Sequence, residues 1–398
     1  MTELLKFNFN SLIFFMRIIY IANVRIPTEK AHGIQIMKTC EALVGAGVGL
    51  ELWLPKRNNL MFKNINPFEY YHLTAKFRIR YLDCWDTVGK FKFFPGLGFY
   101  LESKTFAFSV GRELKRVDHD DLIFYSRDTY PLVPVMKRRL PFFYEIHTLT
   151  KNPSRIIKRV FKEARGVVAI SKGLVSEVNK YISGKKVFLS PDGVDLSFFA
   201  DNISKQEARR ELGIPEGKKI VLYAGHLYAW KGARILAQAS VSLDSDTVVC
   251  FVGGTDSDIS EFRDFIKRSE LDRVKHLGRV KHEEIPKYLA VADVLVLPNS
   301  AKFEISKYYT SPLKLFEYMA ARRPIVASDL PSLREVLDES MAVFFVPDDP
   351  IDLARKIRSV LLGEIPVERL AVNAHGKVQK YSWSARSAGI ISFIKKMT

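Results

Sequence analysis

Two hydrophobic rhythms alternate along the chain. Short uninterrupted apolar runs read as buried strands, and between them apolar positions recur every three or four residues, as in helices packed on one face. Arg17–Asn23 (RIIYIAN) predicts a strand. After a loop, Gln35–Val44 predicts a helix with Ile36, Cys40, Leu43 and Val44 on its buried stripe. Further strands are expected at Leu50–Leu54, Leu122–Ser126, Phe142–Ile146 and Gly166–Ile170. A second series opens near Lys186, with Val187–Ser190, Ile220–Gly225, Val248–Gly254, Val274–Val280, Val294–Pro298, Pro324–Ser328 and Ala342–Pro347. A helix over Ser384–Lys396 closes the chain. This alternation predicts an α/β fold of two Rossmann-like, doubly wound parallel sheets, whose ligands bind at the C-terminal ends of the strands. The turn cluster Ser190-Pro191-Asp192-Gly193 places the boundary near residue 185. The expected units are 1–185, with 1–15 as an upstream extension ahead of Met16, then 186–380, and a closing helical segment 381–398 that packs back on the first.

Composition narrows the class. With 398 residues, 47% hydrophobic and 26% charged, the chain buries a sizeable core and is too long for one typical domain. Its 22 Gly and 18 Pro exclude collagen-like and low-complexity architectures. The net charge of +17 is unevenly placed: residues 1–190 hold 31 Lys and Arg against 16 Asp and Glu, and residues 191–398 hold 30 against 28. The first half is therefore expected to meet something anionic. Cys40, Cys84 and Cys250 form neither a disulfide framework nor a zinc pattern, which fits a reducing compartment. The apolar stretch Leu12–Ala22 is broken by Arg17 and falls short of the roughly 20 residues that span a bilayer.

Two stretches carry chemistry. In Tyr308–Met319 (YYTSPLKLFEYM), Ser311 is a preferred N-cap and Pro312 a preferred first helical residue, so a helix should start here and aim the N–H groups of Leu313, Lys314 and Leu315 forward. Such a start is an anion site, and Glu317 follows where a carboxylate can accept from a ribose diol. In Gly225–Gly232 (GHLYAWKG), glycines at both ends let the backbone approach a ligand and Lys231 supplies a cation for a diphosphate. Asp256-Ser-Asp258 lies in a polar loop before a helix and reads as turn and N-cap; no metal site is expected.

These motifs, with Pro191-Asp192-Gly193-Val194-Asp195, VGG at 252–254, LGRV at 277–280, VADVLVLPNS at 291–300 and PIVASDLPSLRE after the SPLK helix, resemble the retaining glycosyltransferases of family four. The first half adds His32-Gly33, Ser126-Arg127, Tyr144-Glu145-Ile146-His147 and Ala169-Ile170-Ser171-Lys172, so the resemblance covers roughly residues 16–396. It implies a GT-B fold, two such domains facing a central cleft. It implies that Lys231, His226 and Ser311, Pro312, Leu313 and Lys314 hold the diphosphate of a nucleotide-sugar donor, and that Glu317 holds the ribose. Arg279 and Val280 would flank the base, Gly33 would let a first-domain loop close over the sugar, and His147 would sit near its hydroxyls or anomeric region. His147, Lys231 and Glu317 are the expected catalytic residues, with no cofactor and no metal; the nucleotide-sugar is a substrate.

Two positions depart from the family pattern. His226 stands where an Arg is usual, and Tyr309 where many members carry a first Glu; Glu304 lies five residues earlier. They leave the donor sugar open and favour a catalytically weakened binding subunit of glycan assembly; the runner-up enzyme is a nucleotide-sugar epimerase of the same fold. The basic half suggests an acceptor on an anionic membrane surface, reached through Arg127 and the amphipathic stretch Arg155, Lys158, Arg159 and Lys162, with aromatic and basic residues interleaved over 76–116. No nucleic-acid motif appears and none is expected as partner. The expected location is cytoplasmic, peripheral on the inner membrane face, in polysaccharide, lipopolysaccharide or related envelope synthesis.

Overall fold

The computed structural model describes residues 16–91, 94–200 and 203–398. The upstream extension, and Lys92 and Phe93 of the basic stretch, lie outside them. By contacts the chain divides into two units, one of residues up to 145 with 152–168 and 387–398, the other of 146–151 and 169–386.

The first sheet has seven strands, β1 (Met16–Ile21), β2 (Val48–Lys56), β3 (Arg78–Asp83), β4 (Leu122–Ser126), β5 (Phe142–Ile146), β6 (Gly166–Ala169) and β7 (Val187–Leu189), in the order β3-β2-β1-β4-β5-β6-β7. Strand β3, absent from the sequence expectation, pairs with β2 at the sheet edge. Its Arg78 and Tyr81 face solvent, so it lacks the apolar run that marks a central strand. Val187–Leu189, grouped by contacts with the second unit, is the last strand of this sheet. An apolar triplet signals a strand without saying which sheet it joins.

The second sheet has six strands, β8 (Lys219–Ala224), β9 (Thr247–Val252), β10 (Val274–His276), β11 (Val294–Leu297), β12 (Ile325–Ser328) and β13 (Val343–Phe345), ordered β10-β9-β8-β11-β12-β13. Its pairings are parallel. Alternate residues of β8 enter opposite layers: Ile220, Leu222 and Ala224 join the core with Phe316 and Met319, while Val221 and Tyr223 join the one with Leu236 and Phe251. Burial on both faces explains why these strands read as continuous apolar runs.

In each sheet the strand order reverses beside one strand, between β1 and β4 in the first and between β8 and β11 in the second. Loops leaving the C-terminal ends of strands diverge there, which opens a crevice. Gly225–Gly232 follows β8, Pro298–Ser300 follows β11 and Arg127 follows β4, so these motifs lie at the reversal points.

Candidate functional site

In the second unit the crevice is built from the loop after β8 and the helix Leu313–Ala320. Tyr318 anchors that helix: its hydroxyl accepts from the Ala224 N–H at 2.7 Å, at the end of β8. Gly225 (φ +133°) then turns the chain, and a side chain there would meet the Lys314 stem 3.7 Å away. Lys314 runs over this glycine and places its ammonium 3.8 Å from the centre of the Tyr223 ring. That ammonium is buried and has no hydrogen-bond partner. Burial, then the neighbouring Lys231 charge, push its pKa well below the usual lysine value, with Glu317 pulling back. A buried cation held only by a ring face is the complement of an anion.

Lys231 ends the loop after β8. Its Nζ lies 5.2 Å from the Trp230 ring centre and 5.7 Å from that of Tyr228. Burial lowers its pKa to about 8, while Glu317 and Asp258 act in the opposite direction. Gly232 (φ +72°) closes the turn so tightly that a Cβ there would fall 1.7 Å from the Pro298 carbonyl oxygen. The Ser300 N–H donates to the Trp230 carbonyl at 3.0 Å, so the loops after β8 and β11 are tied together. Between them lies Asn299, fully buried, with neither amide atom hydrogen-bonded.

Glu317, on the second turn of the helix, accepts from or pairs with His282 Nε2 at 2.8 Å. His282 follows Arg279 and Val280 and meets the Phe198 ring edge-on at 5.6 Å. Arg279 is exposed and Val280 packs on the core beneath. The ring of His226 stacks on Tyr228 with centroids 5.1 Å apart and planes within 4°, and its Nδ1 is 3.8 Å from an Asp258 oxygen. Asp258 serves as the third residue of a capping box with Thr255 as N-cap, so the Asp256-Ser-Asp258 motif starts a helix.

The helix start differs from expectation. Pro312 is the N-cap and Leu313 the first helical residue, and Ser311 does not cap. Its hydroxyl accepts from the Asp192 N–H at 2.9 Å instead, holding the Pro191–Gly193 turn against the helix start. No side chain caps this helix, so its first amides point forward uncovered by one. His147 lies just beyond β5 and offers a ring nitrogen within 4.8 Å of an Asp192 oxygen. Tyr309 ends a one-turn π-helix over Ile305–Tyr309, and Glu304 pairs with Lys151 at 3.2 Å.

In the first unit Gly33 lies inside a helix, Ala31–Gly45, and not in a loop. The absence of a side chain admits the Tyr71 hydroxyl, which would sit 2.3 Å from a Cβ there. At the β1/β4 crevice the Asn23 N–H donates to Asp128 at 2.7 Å, and Arg127 donates to Gln35 at 2.8 Å. Gln35 in turn donates to the buried Glu145 at 2.6 Å, which also accepts from the Tyr125 hydroxyl. The helix Arg155–Glu163 exposes Arg155, Lys158, Arg159 and Lys162, but its Val160 and Phe161 belong to the core. Among the described residues no helix is long and apolar enough to cross a membrane.

Tyr223, Asn299 and His282 were missed by sequence reasoning. Tyr223 looked like any strand aromatic, and His282 lay in a loop flagged only through its neighbours Arg279 and Val280.

Comparison with known proteins agrees with this geometry. Residues 204–377 match the family described as Glycosyl transferases group 1. Spore coat protein SA of Bacillus subtilis (strain 168) is 25% identical over 329 residues, 75% of this chain and 84% of that one. Phosphatidyl-myo-inositol mannosyltransferase of Mycobacterium tuberculosis (strain ATCC 25618 / H37Rv) is 28% identical over 59% of this chain, which spans only 61% of that protein. The structure of Anabaena HepE in complex with UDP-glucose superposes with a TM-score of 0.73 at 17% identity, covering 96% of this chain and all of that one. The chain has the GT-B fold, and its residues 204–377 match the family described as Glycosyl transferases group 1.

Proposed function

We propose that this glycosyltransferase moves a sugar, with retention of anomeric configuration, from a nucleoside-diphosphate donor to a glycan or lipid-linked acceptor in cell-surface polysaccharide or glycoconjugate synthesis. The observation that carries the reading is the buried, unpartnered Lys314 ammonium, coupled to Lys231 and placed one helical turn from Glu317. A donor diphosphate supplies the anion that Lys314 lacks, and its ribose hydroxyls reach Glu317. The relatives named for the spore coat and for a phosphatidyl-inositol acceptor support the cell-surface assignment, and the UDP-glucose complex of a protein with this fold supports the donor class.

In the proposed step the bond from the anomeric carbon to the diphosphate oxygen breaks as the acceptor oxygen bonds to the same face of that carbon. The acceptor proton passes to the departing diphosphate. Lys231, Lys314 and the uncapped amides at Leu313–Lys314 stabilise the charge that develops there. These groups supply positive charge that a divalent cation provides elsewhere, so transfer is expected to persist in a chelator. His147 lies near the sugar and orients it.

The test is incubation of the purified chain with UDP-, GDP- and ADP-sugars, scoring thermal stabilisation, acceptor-dependent transfer and the anomer formed. Retained configuration with acceptor-dependent product supports the reading. Inversion overturns the mechanism. Conversion of donor without acceptor assigns an epimerase, and binding without turnover assigns a weakened subunit, the outcome that His226 and Tyr309 favour.

A further inference from the structure

The helix Pro95–Glu113 buries Phe106 and Val110 in the core, yet it also buries its carboxylates and exposes a stripe of rings. Its inner face carries both of its carboxylates: Glu102 is fully buried and accepts from Asn23 Nδ2 at 3.2 Å, and Glu113 is buried and paired with Arg80. Its outer face carries Leu97, Tyr100, Lys104, Phe108 and Arg112, spaced three or four residues apart and therefore on one stripe. Phe108 is 69% exposed, and Phe94, just before the helix, 70%. A helix selected only for water would put its rings inside and its carboxylates outside.

The face is also built and not merely frayed. The preceding loop is tied to it: the Trp85 N–H donates to Thr105 Oγ1 at 3.0 Å, and Thr87 Oγ1 donates to the Gly98 carbonyl at 2.7 Å. Gly98 admits this loop, because a Cβ there would fall 2.4 Å from the Thr87 carbonyl oxygen. Trp85, 63% exposed, is thus held beside the helix's outer stripe. From Thr87 to Val117 the sequence contains no acidic residue besides the two buried glutamates, so every full charge the helix shows to solvent is positive. The cations lie at the level of the rings: Lys104 Nζ is 5.4 Å from the Tyr100 ring centre, and the Arg112 guanidinium 5.9 Å from that of Phe108.

We infer that this outer face, with the Trp85 loop, docks on the surface of an anionic phospholipid bilayer. Rings flanked by cations at one height suit the boundary where acyl chains meet phosphates. A second copy is a poor occupant, because a self-complementary pairing would set Lys104 and Arg112 against like charges. The Arg155–Glu163 helix, the segment that the sequence favoured, lacks this property. Its Val160 and Phe161 are spent on the core, so it offers cations without an apolar anchor.

The experiment is flotation of the full chain with vesicles of phosphatidylcholine alone and of equimolar phosphatidylcholine and phosphatidylglycerol, while tryptophan emission is recorded for the wild type and for Trp85→Phe, whose difference reports Trp85. Binding and a blue shift are expected with the anionic vesicles only. Lys104→Gln with Arg112→Gln should cut the partition coefficient about 25-fold, at about five-fold per cation. Phe94→Ser with Phe108→Ser should cut it about ten-fold and leave the binding that remains fully salt-sensitive. Arg155→Gln with Lys158→Gln should cost less than either. No flotation, equal flotation with neutral vesicles, or variants that float like the wild type would each overturn the inference. So would self-association of the wild type, or capture of an acidic protein, that the same variants abolish while vesicle binding is absent. Stabilisation by UDP or GDP is measured on every variant. Its retention shows an intact donor site, so loss of docking is read separately from any failure of the transferase reading.

Discussion

Lys314 sits where burial and the Lys231 charge favour its neutral form, and only a ring face and the more distant Glu317 oppose that. The proposed function and stability therefore pull apart at this residue. Lys314→Met should raise the stability of the unliganded chain by about 1–3 kcal/mol, because a buried polar group without a hydrogen-bond partner is replaced by an apolar stem of similar length. It should also abolish stabilisation by nucleoside diphosphates. Denaturant melts with and without UDP or GDP check both signs together. Lys231 makes the complementary pH prediction. Its folded pKa of about 8 lies below the ordinary 10.5, so between these values the unfolded chain binds the extra proton. The unliganded chain should therefore gain stability from this group as pH rises from about 8 towards 10.5, and lose it as pH falls through that window. On the proposed function diphosphate binding needs the ammonium and should run the other way, full below about 8 and weakening above. Titrations across that window read the slope, which Lys231→Met should flatten. His282 is separable from both lysines because its Nε2 bonds the Glu317 carboxylate and its ring packs on Phe198. His282→Phe should weaken UDP or GDP binding about ten-fold by freeing Glu317, yet leave pyrophosphate binding unchanged. An equal loss for pyrophosphate would assign His282 to the fold of its loop. Lys231, Lys314 and Glu317 were legible in the sequence because each sits at a fixed offset from a strand end or helix start. His282 and Asn299 were not, since their part depends on which loops meet after β10 and β11, and no spacing along the chain records that.

Glycines on the loops separate backbone strain from close approach. Gly232 and Gly363 have nearly the same φ, +72° and +73°, so a side chain strains the backbone equally at both. They differ in surroundings: a Cβ at Gly363 meets nothing within 4 Å, whereas at Gly232 it meets the Pro298 carbonyl at 1.7 Å. Gly363→Ala should cost about 1 kcal/mol, the left-handed penalty alone. Gly232→Ala should cost about 3 kcal/mol or more and remove nucleotide-dependent stabilisation, because the loops after β8 and β11 must move apart. Thermal melts of the two variants, with and without nucleotide, test the difference. Most elements were readable for the same physical reason that makes them stable. Central parallel strands are apolar on both faces and announce themselves, as β4 and β5 do residue for residue. The edge strand β3 was hidden by its exposed arginine and tyrosine. Ser311 was misread because a serine before a proline is a good cap in isolation, and its hydroxyl is taken by the Asp192 amide from a distant turn. Local preference lost to a long-range partner, which sequence spacing does not carry.

The charge division of the chain follows its division of labour. The near-neutral second half places Lys231 and Lys314 at the proposed donor site, and the first half spreads its excess over exposed helix faces. The two units also differ in what binds them, which gives a way to tell their unfolding apart. Residues Ser387–Thr398 are grouped with the first unit although they end the chain. There Phe393 meets Phe143 edge-on at 5.8 Å and covers Gly166, where a Cβ would fall 2.6 Å from its ring; Ile390 and Ile394 are fully buried. Phe393→Ala should cost about 3–5 kcal/mol, the ordinary price of removing a buried ring. If the units unfold separately, calorimetry shows two transitions, and nucleoside diphosphate raises only that of the unit containing Lys231 and Lys314, since a ligand stabilises the state it binds. Phe393→Ala should then lower the transition that nucleotide leaves unmoved. A shift of the nucleotide-sensitive transition instead would place the closing helix in the energetics of the donor unit, against its packing on Phe143 and Gly166.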